Sequence, residues 1–132
     1  MLQNLFGLFN ENKVNPNCFQ LILHKDKAKY NGSRNTFTVG YVSKTYCTSI
    51  KDTGCLIMLI EESNGDANGI FCLTKSDKYK QGNISILSQS AKSNDQCIRV
   101  CWNPLEYPSI IYHDSSENQR ICKFNVRIIN VI

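Results

Sequence analysis

Apolar and polar residues alternate along most of this chain with the period of two that marks strands half-buried against a core. The clearest case is Gln96-Cys97-Ile98-Arg99-Val100-Cys101-Trp102, where Ile98, Val100 and Trp102 share one side and Cys97, Arg99 and Cys101 the other. Cys122 to Ile132 alternates in the same way, with Phe124, Val126, Ile128 and Asn130 set against Asn125, Arg127, Ile129 and Val131. Thr36 to Tyr46 carries Phe37, Val39 and Tyr41 on one side and then changes phase at Gly40, which predicts a bulge. Cys55 to Glu61 breaks the pattern: Cys-Leu-Ile-Met-Leu-Ile is apolar at every position.

Shorter runs predict four more strands: Cys18 to His24, Gly69 to Thr74, Asn83 to Leu87 and Pro108 to His113. The leading proline places the last of these at a sheet edge. Polar turns separate the runs, among them Ser63-Asn64-Gly65-Asp66 as a hairpin and the charged stretch Lys25 to Asn35. Short strands at regular spacing predict an all-β protein, a single antiparallel β-sandwich of about seven to eight strands over residues 18–132. The expected core is Leu21, Leu23, Val39, Leu56, Met58, Ile60, Phe71, Ile84, Ile86, Ile98, Val100, Phe124, Val126 and Ile128. Residues 1–17 form a separate N-terminal segment, where Leu2, Leu5, Phe6, Leu8 and Phe9 would give a short helix an apolar face.

A length of 132 residues supports one domain with a sizeable core. The net charge of +4 is mild, and the clusters Lys25, Lys27, Lys29 and Lys75, Lys78, Lys80 lie in turn-like surroundings, where a solvated surface outweighs an anionic partner as the explanation. No run reaches the length of a membrane span, and the N-terminal segment lacks the basic start of a signal peptide. Seven cysteines are many for this size, and an odd number cannot all pair within one molecule. Their spacing fits neither a zinc site nor a CxxC redox motif. Two explanations stay open: an oxidised chain with one or more disulfides, or a reduced one whose buried thiols act as small hydrophobes.

Catalytic signatures are absent. Nothing in the sequence places His24 or His113 beside a cysteine, and the pairs Glu61-Glu62 and Asp114 with Glu117 fall at strand ends or turns. No glycine run cradles a phosphate. The expectation is a non-enzymatic chain with no catalytic residue, metal, cofactor or small-molecule substrate. A small β domain that binds single-stranded nucleic acid is the main rival, with Tyr30, Tyr41, Tyr46 and Tyr79 near basic residues. Those tyrosines do not gather on adjacent strands, which makes a nucleic-acid partner the weaker reading. A viral or parasite sandwich that serves as an interaction protein is a further alternative.

From Cys18 onward the order of features resembles the GOLD (Golgi dynamics) domain, and most of all the luminal domain of the small transmembrane cargo receptors of the early secretory pathway. Cys18-Phe19 matches the family's opening cysteine, with His24-Lys25-Asp26 a little later. Leu56-Ile57-Met58-Leu59-Ile60 with Ser63-Asn64-Gly65 matches its hairpin. Lys80-Gln81-Gly82-Asn83-Ile84-Ser85-Ile86 matches the polar segment leading through a glycine into an apolar strand, and Val100-Cys101-Trp102-Asn103 matches its second cysteine strand. The stretch from Lys27 to Thr45 is longer than the family's, and five further cysteines depart from it.

The resemblance implies a Cys18–Cys101 disulfide and a location in the lumen of the early secretory pathway, or outside the cell. It also implies a role in protein recognition: binding cargo or sister subunits in transport between endoplasmic reticulum and Golgi, as a homo- or hetero-oligomer. Membrane attachment would then come through segments absent from this chain. Without that disulfide the expected location is intracellular. Sandwiches commonly bind through a sheet edge or end loops. The candidate binding residues are therefore Trp102, Asn103, Leu105 and Tyr107, with Ile110 and Tyr112 on the expected edge strand.

Overall fold

The computed structural model describes residues 17–25, 35–43, 46–47, 50, 54–75, 82–93, 96–102, 108–116 and 120–131. Among them are eight strands: β1 Cys18–His24, β2 Thr36–Tyr41, β3 Cys55–Glu62, β4 Ala67–Leu73, β5 Ile84–Ala91, β6 Gln96–Cys101, β7 Ser109–Asp114 and β8 Ile121–Val131. They form a five-stranded sheet in the order β1-β8-β3-β4-β5 and a three-stranded sheet in the order β2-β7-β6. Every neighbouring pair is antiparallel. The apolar inner faces of both sheets meet in one core, so the fold is the expected β-sandwich. The expected N-terminal helix lies outside the described residues.

Alternation decides which side chains enter that core. On β8, Cys122, Phe124, Val126 and Ile128 are buried while Ile121, Lys123, Asn125, Arg127 and Ile129 face outward. From the opposite sheet come Phe37, Ile98, Val100, Ile110 and Tyr112, and the Tyr112 ring meets Phe124 edge to face at 5.0 Å. Of the expected core only Ile86 is misplaced, being 57% exposed, while Val39 and Ile84 are half-buried against the core. Val42, Ile50 and Leu73 join the core unforeseen.

Two bulges shape the strands. The β2–β7 register shifts between Thr38 and Gly40, at the predicted change of phase. The β4–β5 register pairs Ile70 with Ser88 and Phe71 with Ile86, which leaves Leu87 as the extra residue. The β3–β4 hairpin closes through Gly65, whose φ of 80° is the left-handed conformation that favours glycine. Glu62 Oε1 braces this turn by accepting the backbone N–H groups of Asn64 at 3.0 Å and Asp66 at 3.2 Å.

Topology corrects one expectation. Pro108 precedes β7, yet β7 is the middle strand of its sheet, paired with β2 on one side and β6 on the other. The proline stands before the ladder and costs it no hydrogen bond; its carbonyl accepts the Val42 N–H at 2.8 Å.

Candidate functional site

The outer face of the five-stranded sheet is the most distinctive surface among the described residues. Register lines up Cys18, Arg127, Leu59 and Ile70 in one row across β1, β8, β3 and β4. The next row is Gln20, Asn125, Glu61 and Asn68, with Gln20 Nε2 donating to Asn125 Oδ1 at 3.1 Å. Together the rows floor an open depression of about 740 Å³. Towards the other end of the strands Ile57, Cys72 and Ile129 continue the apolar side, and Ile129 is 44% exposed. The β3–β4 part of this face is apolar and the Gln20-Asn125-Glu61-Asn68 row polar, and beyond that row Ile22 and Ile121 are again exposed, at 51% and 50%. A contiguous apolar area bordered by polar groups marks an interaction surface.

The unbroken apolar run of β3 was its sequence signal. Leu56, Met58 and Ile60 fill the core, so Ile57 and Leu59 must lie on the opposite face. A strand apolar at every position has two faces to cover.

The outer face of the small sheet holds a second arrangement. Register sets Thr36, His113 and Cys97 side by side across β2, β7 and β6. His113 Nδ1 lies 3.1 Å from Thr36 Oγ1. Burial, helped by the nearby Arg99, pushes the imidazole below its ordinary range. Sequence separation had concealed this meeting of a histidine and a thiol. Thr36 orients the ring; no hydrogen bond joins it to Cys97 among the described residues. The row therefore lacks the nucleophile-to-base contact that thiol catalysis uses.

All seven cysteines are free. Cys18 and Cys101, joined in the expectation, are both exposed. They stand on β1, one edge of the large sheet, and on β6, an edge of the small sheet that packs over β4 and β5 at the far end from β1. Cys47 and Cys122 are buried; burial pushes the Cys47 thiol up to about 11 and raises Cys122 as well. Cys55 and Cys72 meet on the outer face of β3 and β4. No group of three or more potential metal ligands occurs among the described residues, and no helix there is long and apolar enough to cross a membrane.

The candidate binding residues divide three ways. Trp102 is half-buried against the core. Asn103, Leu105 and Tyr107 lie outside the described residues. Ile110 and Tyr112 are corrected: both point inward from a central strand and are 0% exposed, which removes them from any binding surface. Lys25, expected in a solvated lysine cluster, is instead buried beside Asp114.

No family model matches the chain, and neither a curated protein nor a solved structure matches it.

Proposed function

We propose that this chain is a non-enzymatic protein-recognition module that binds through the outer face of its five-stranded sheet. The observation that carries the reading is the pair of cross-strand rows, Cys18-Arg127-Leu59-Ile70 apolar in its β3–β4 half and Gln20-Asn125-Glu61-Asn68 polar, flooring one depression. Leu59 and Ile70 offer an apolar anchor site, Arg127 and Glu61 offer one charge of each sign, and the amides supply hydrogen bonds. That combination of apolar anchors beside polar and charged groups suits a protein segment.

Photo-crosslinking from a reporter placed at Asn68, in the native host, tests it. Discrete protein adducts should form and should vanish in Leu59→Asp and Arg127→Glu variants that keep the wild-type circular dichroism. Adducts indifferent to both substitutions would remove this face from the function.

The narrower version of the proposal is a GOLD-like luminal domain that binds cargo or sister subunits. The two-sheet sandwich and the order of the strand motifs support it, and it depends on an oxidising compartment. Peptide mapping of natively sourced protein with and without thiol alkylation decides it. A Cys18–Cys101 bond would sustain the secretory version; seven alkylated thiols would leave a recognition module in a reducing compartment.

A further inference from the structure

We propose that the apolar segment Leu2 to Phe9 of this chain docks on the outer face of its own five-stranded sheet and competes there with the protein partner. The docking rests on the face alone; the competition rests on the recognition reading above.

Register fixes where the segment is tethered. Cys18 pairs with Arg127 across β1 and β8, and the Asn17 carbonyl accepts the Ile128 N–H at 2.8 Å. One row further along lie Ile129 of β8, Ile57 of β3 and Cys72 of β4. The chain therefore enters the sheet at the apolar end of the face, beside the depression that Cys18, Arg127, Leu59 and Ile70 line. The other exposed apolar pair, Ile22 and Ile121, lies on the far side of the polar row, towards the opposite end of β1.

Composition supplies the occupant. Leu2, Leu5, Phe6 and Phe9 recur at three- and four-residue spacing, Leu8 stands among them, and no charged side chain precedes Glu11. A stretch this apolar gains by leaving water. Residues 10–16, a polar spacer, reach about 23 Å when extended. The three strand spacings from β1 to β4 come to about 14 Å, so the tether suffices. A tether this short holds the segment at an effective concentration on the order of millimolar, well above that of a free partner in the micromolar range. An occupant of modest intrinsic affinity thus holds the face until a tighter partner displaces it.

A photoreactive phenylalanine analogue at Phe6 of the purified full chain tests the docking. Crosslinks should form within the chain and map to peptides containing Ile57, Leu59, Ile70 or Ile129. The double change Leu59→Asp with Ile70→Asp should remove them and leave circular dichroism unchanged, because both side chains lie on the outer face. A mixture of isotope-labelled and unlabelled chains separates the occupants. Links between labelled and unlabelled chains would give the face to a second copy and overturn the proposal. Links confined to other parts of the chain, or links that survive the double change, would overturn it as well.

The competition is read separately in the native host, from the reporter at Asn68. Leu5→Asp with Phe6→Asp should raise the yield of partner adducts several-fold, and an unchanged yield would overturn the competition. Links within the chain but no partner adduct from any variant would uphold the docking and remove the recognition reading. Partner adducts without links within the chain would do the reverse.

Discussion

Lys25 Nζ lies 2.7 Å from Asp114 Oδ2, and the two side chains are 2% and 0% exposed. Lys25 follows β1 of the large sheet and Asp114 ends β7 at the centre of the small one, so this ion pair clips one layer to the other. The ammonium also reaches Ser116 O at 3.0 Å and Ser116 Oγ at 3.3 Å, which gives its three hydrogens three acceptors. It stands 5.6 Å from the centre of the Phe37 ring. Ser116 N–H returns a hydrogen bond to Asp114 Oδ1 at 3.1 Å.

Removing one partner strands a buried charge. Lys25→Met should cost about 3–5 kcal/mol in urea unfolding, and the double change Lys25→Met with Asp114→Leu should recover most of it. A double variant as unstable as the single one would show that packing, and not the uncompensated carboxylate, sets the cost.

Acid should open the same clip. Burial alone would raise the Asp114 pKa, but the hydrogen bonds from Lys25 and Ser116 and the lysine charge outweigh it and hold the carboxyl below its ordinary value. As pH falls, the unfolded chain binds this proton first. The contribution is complete above the unfolded pKa of about 3.9 and is lost as pH drops through the lower folded value. Urea midpoints measured down an acid series should therefore fall more steeply for the wild type than for the Lys25→Met, Asp114→Leu double variant. Parallel curves would remove Asp114 from acid unfolding.

The β3–β4 turn depends on one carboxylate oxygen. Glu62→Gln retains an acceptor for the Asn64 and Asp66 amides, whereas Glu62→Ala abandons both. The alanine variant should lose about 1–3 kcal/mol more than the glutamine variant. Hydrogen exchange at those two amides is the local readout, and protection that survives in Glu62→Ala would show that Gly65 and the strand pairing suffice.

The layer architecture was legible because β1, β6 and β8 alternate so regularly that few other folds accommodate them. β1 runs from Cys18 to His24 as expected, and the Gly40 phase change lands on a bulge. What stayed hidden was non-local. Pro108 suggests an edge by local chemistry, but an edge is defined by which strands pair, and β2 and β6 arrive from distant parts of the chain. Lys25 resembles its turn neighbours Lys27 and Lys29, and only Asp114, 89 residues away, distinguishes it. Ile86 has core chemistry but sits on the edge strand beside a bulge, where nothing covers it. The outer-face rows were partly visible: the apolar run of β3 announced two apolar faces, whereas the placement of Arg127 and Cys18 in line with Leu59 required the register.

His113 provides a spectroscopic check on the small sheet. Its imidazole should titrate below the ordinary 6.5, through burial first and Arg99 second. Arg99→Gln should move the midpoint part of the way back, as followed by the ring proton shifts. Because the folded pKa is depressed, the neutral ring contributes stability above the unfolded pKa, and that contribution declines as pH falls towards the folded value. A midpoint unmoved by Arg99→Gln would leave burial as the whole cause.

Cys55 and Cys72 should be the first pair to link under mild oxidation. Leu56 pairs with Leu73 and Ile57 with Cys72, so the two cysteines are diagonal neighbours on one face of adjacent strands. Burial raises the Cys72 pKa, and contact with Cys55 raises it further, so the linkage should accelerate as pH rises and the thiolate forms. With glutathione disulfide as oxidant, the two protein thiols become one disulfide as two molecules of glutathione are released, and the chain loses roughly 2 Da. A diagonal pair is spaced wider than a relaxed disulfide spans, so the strands must shift to form the bond, which should be strained and readily reduced. Peptide mapping over a time course checks the order of linkage. If Cys18, Cys97 or Cys101 enters a bond within the chain before Cys55 and Cys72 do, exposure and not proximity governs the oxidation.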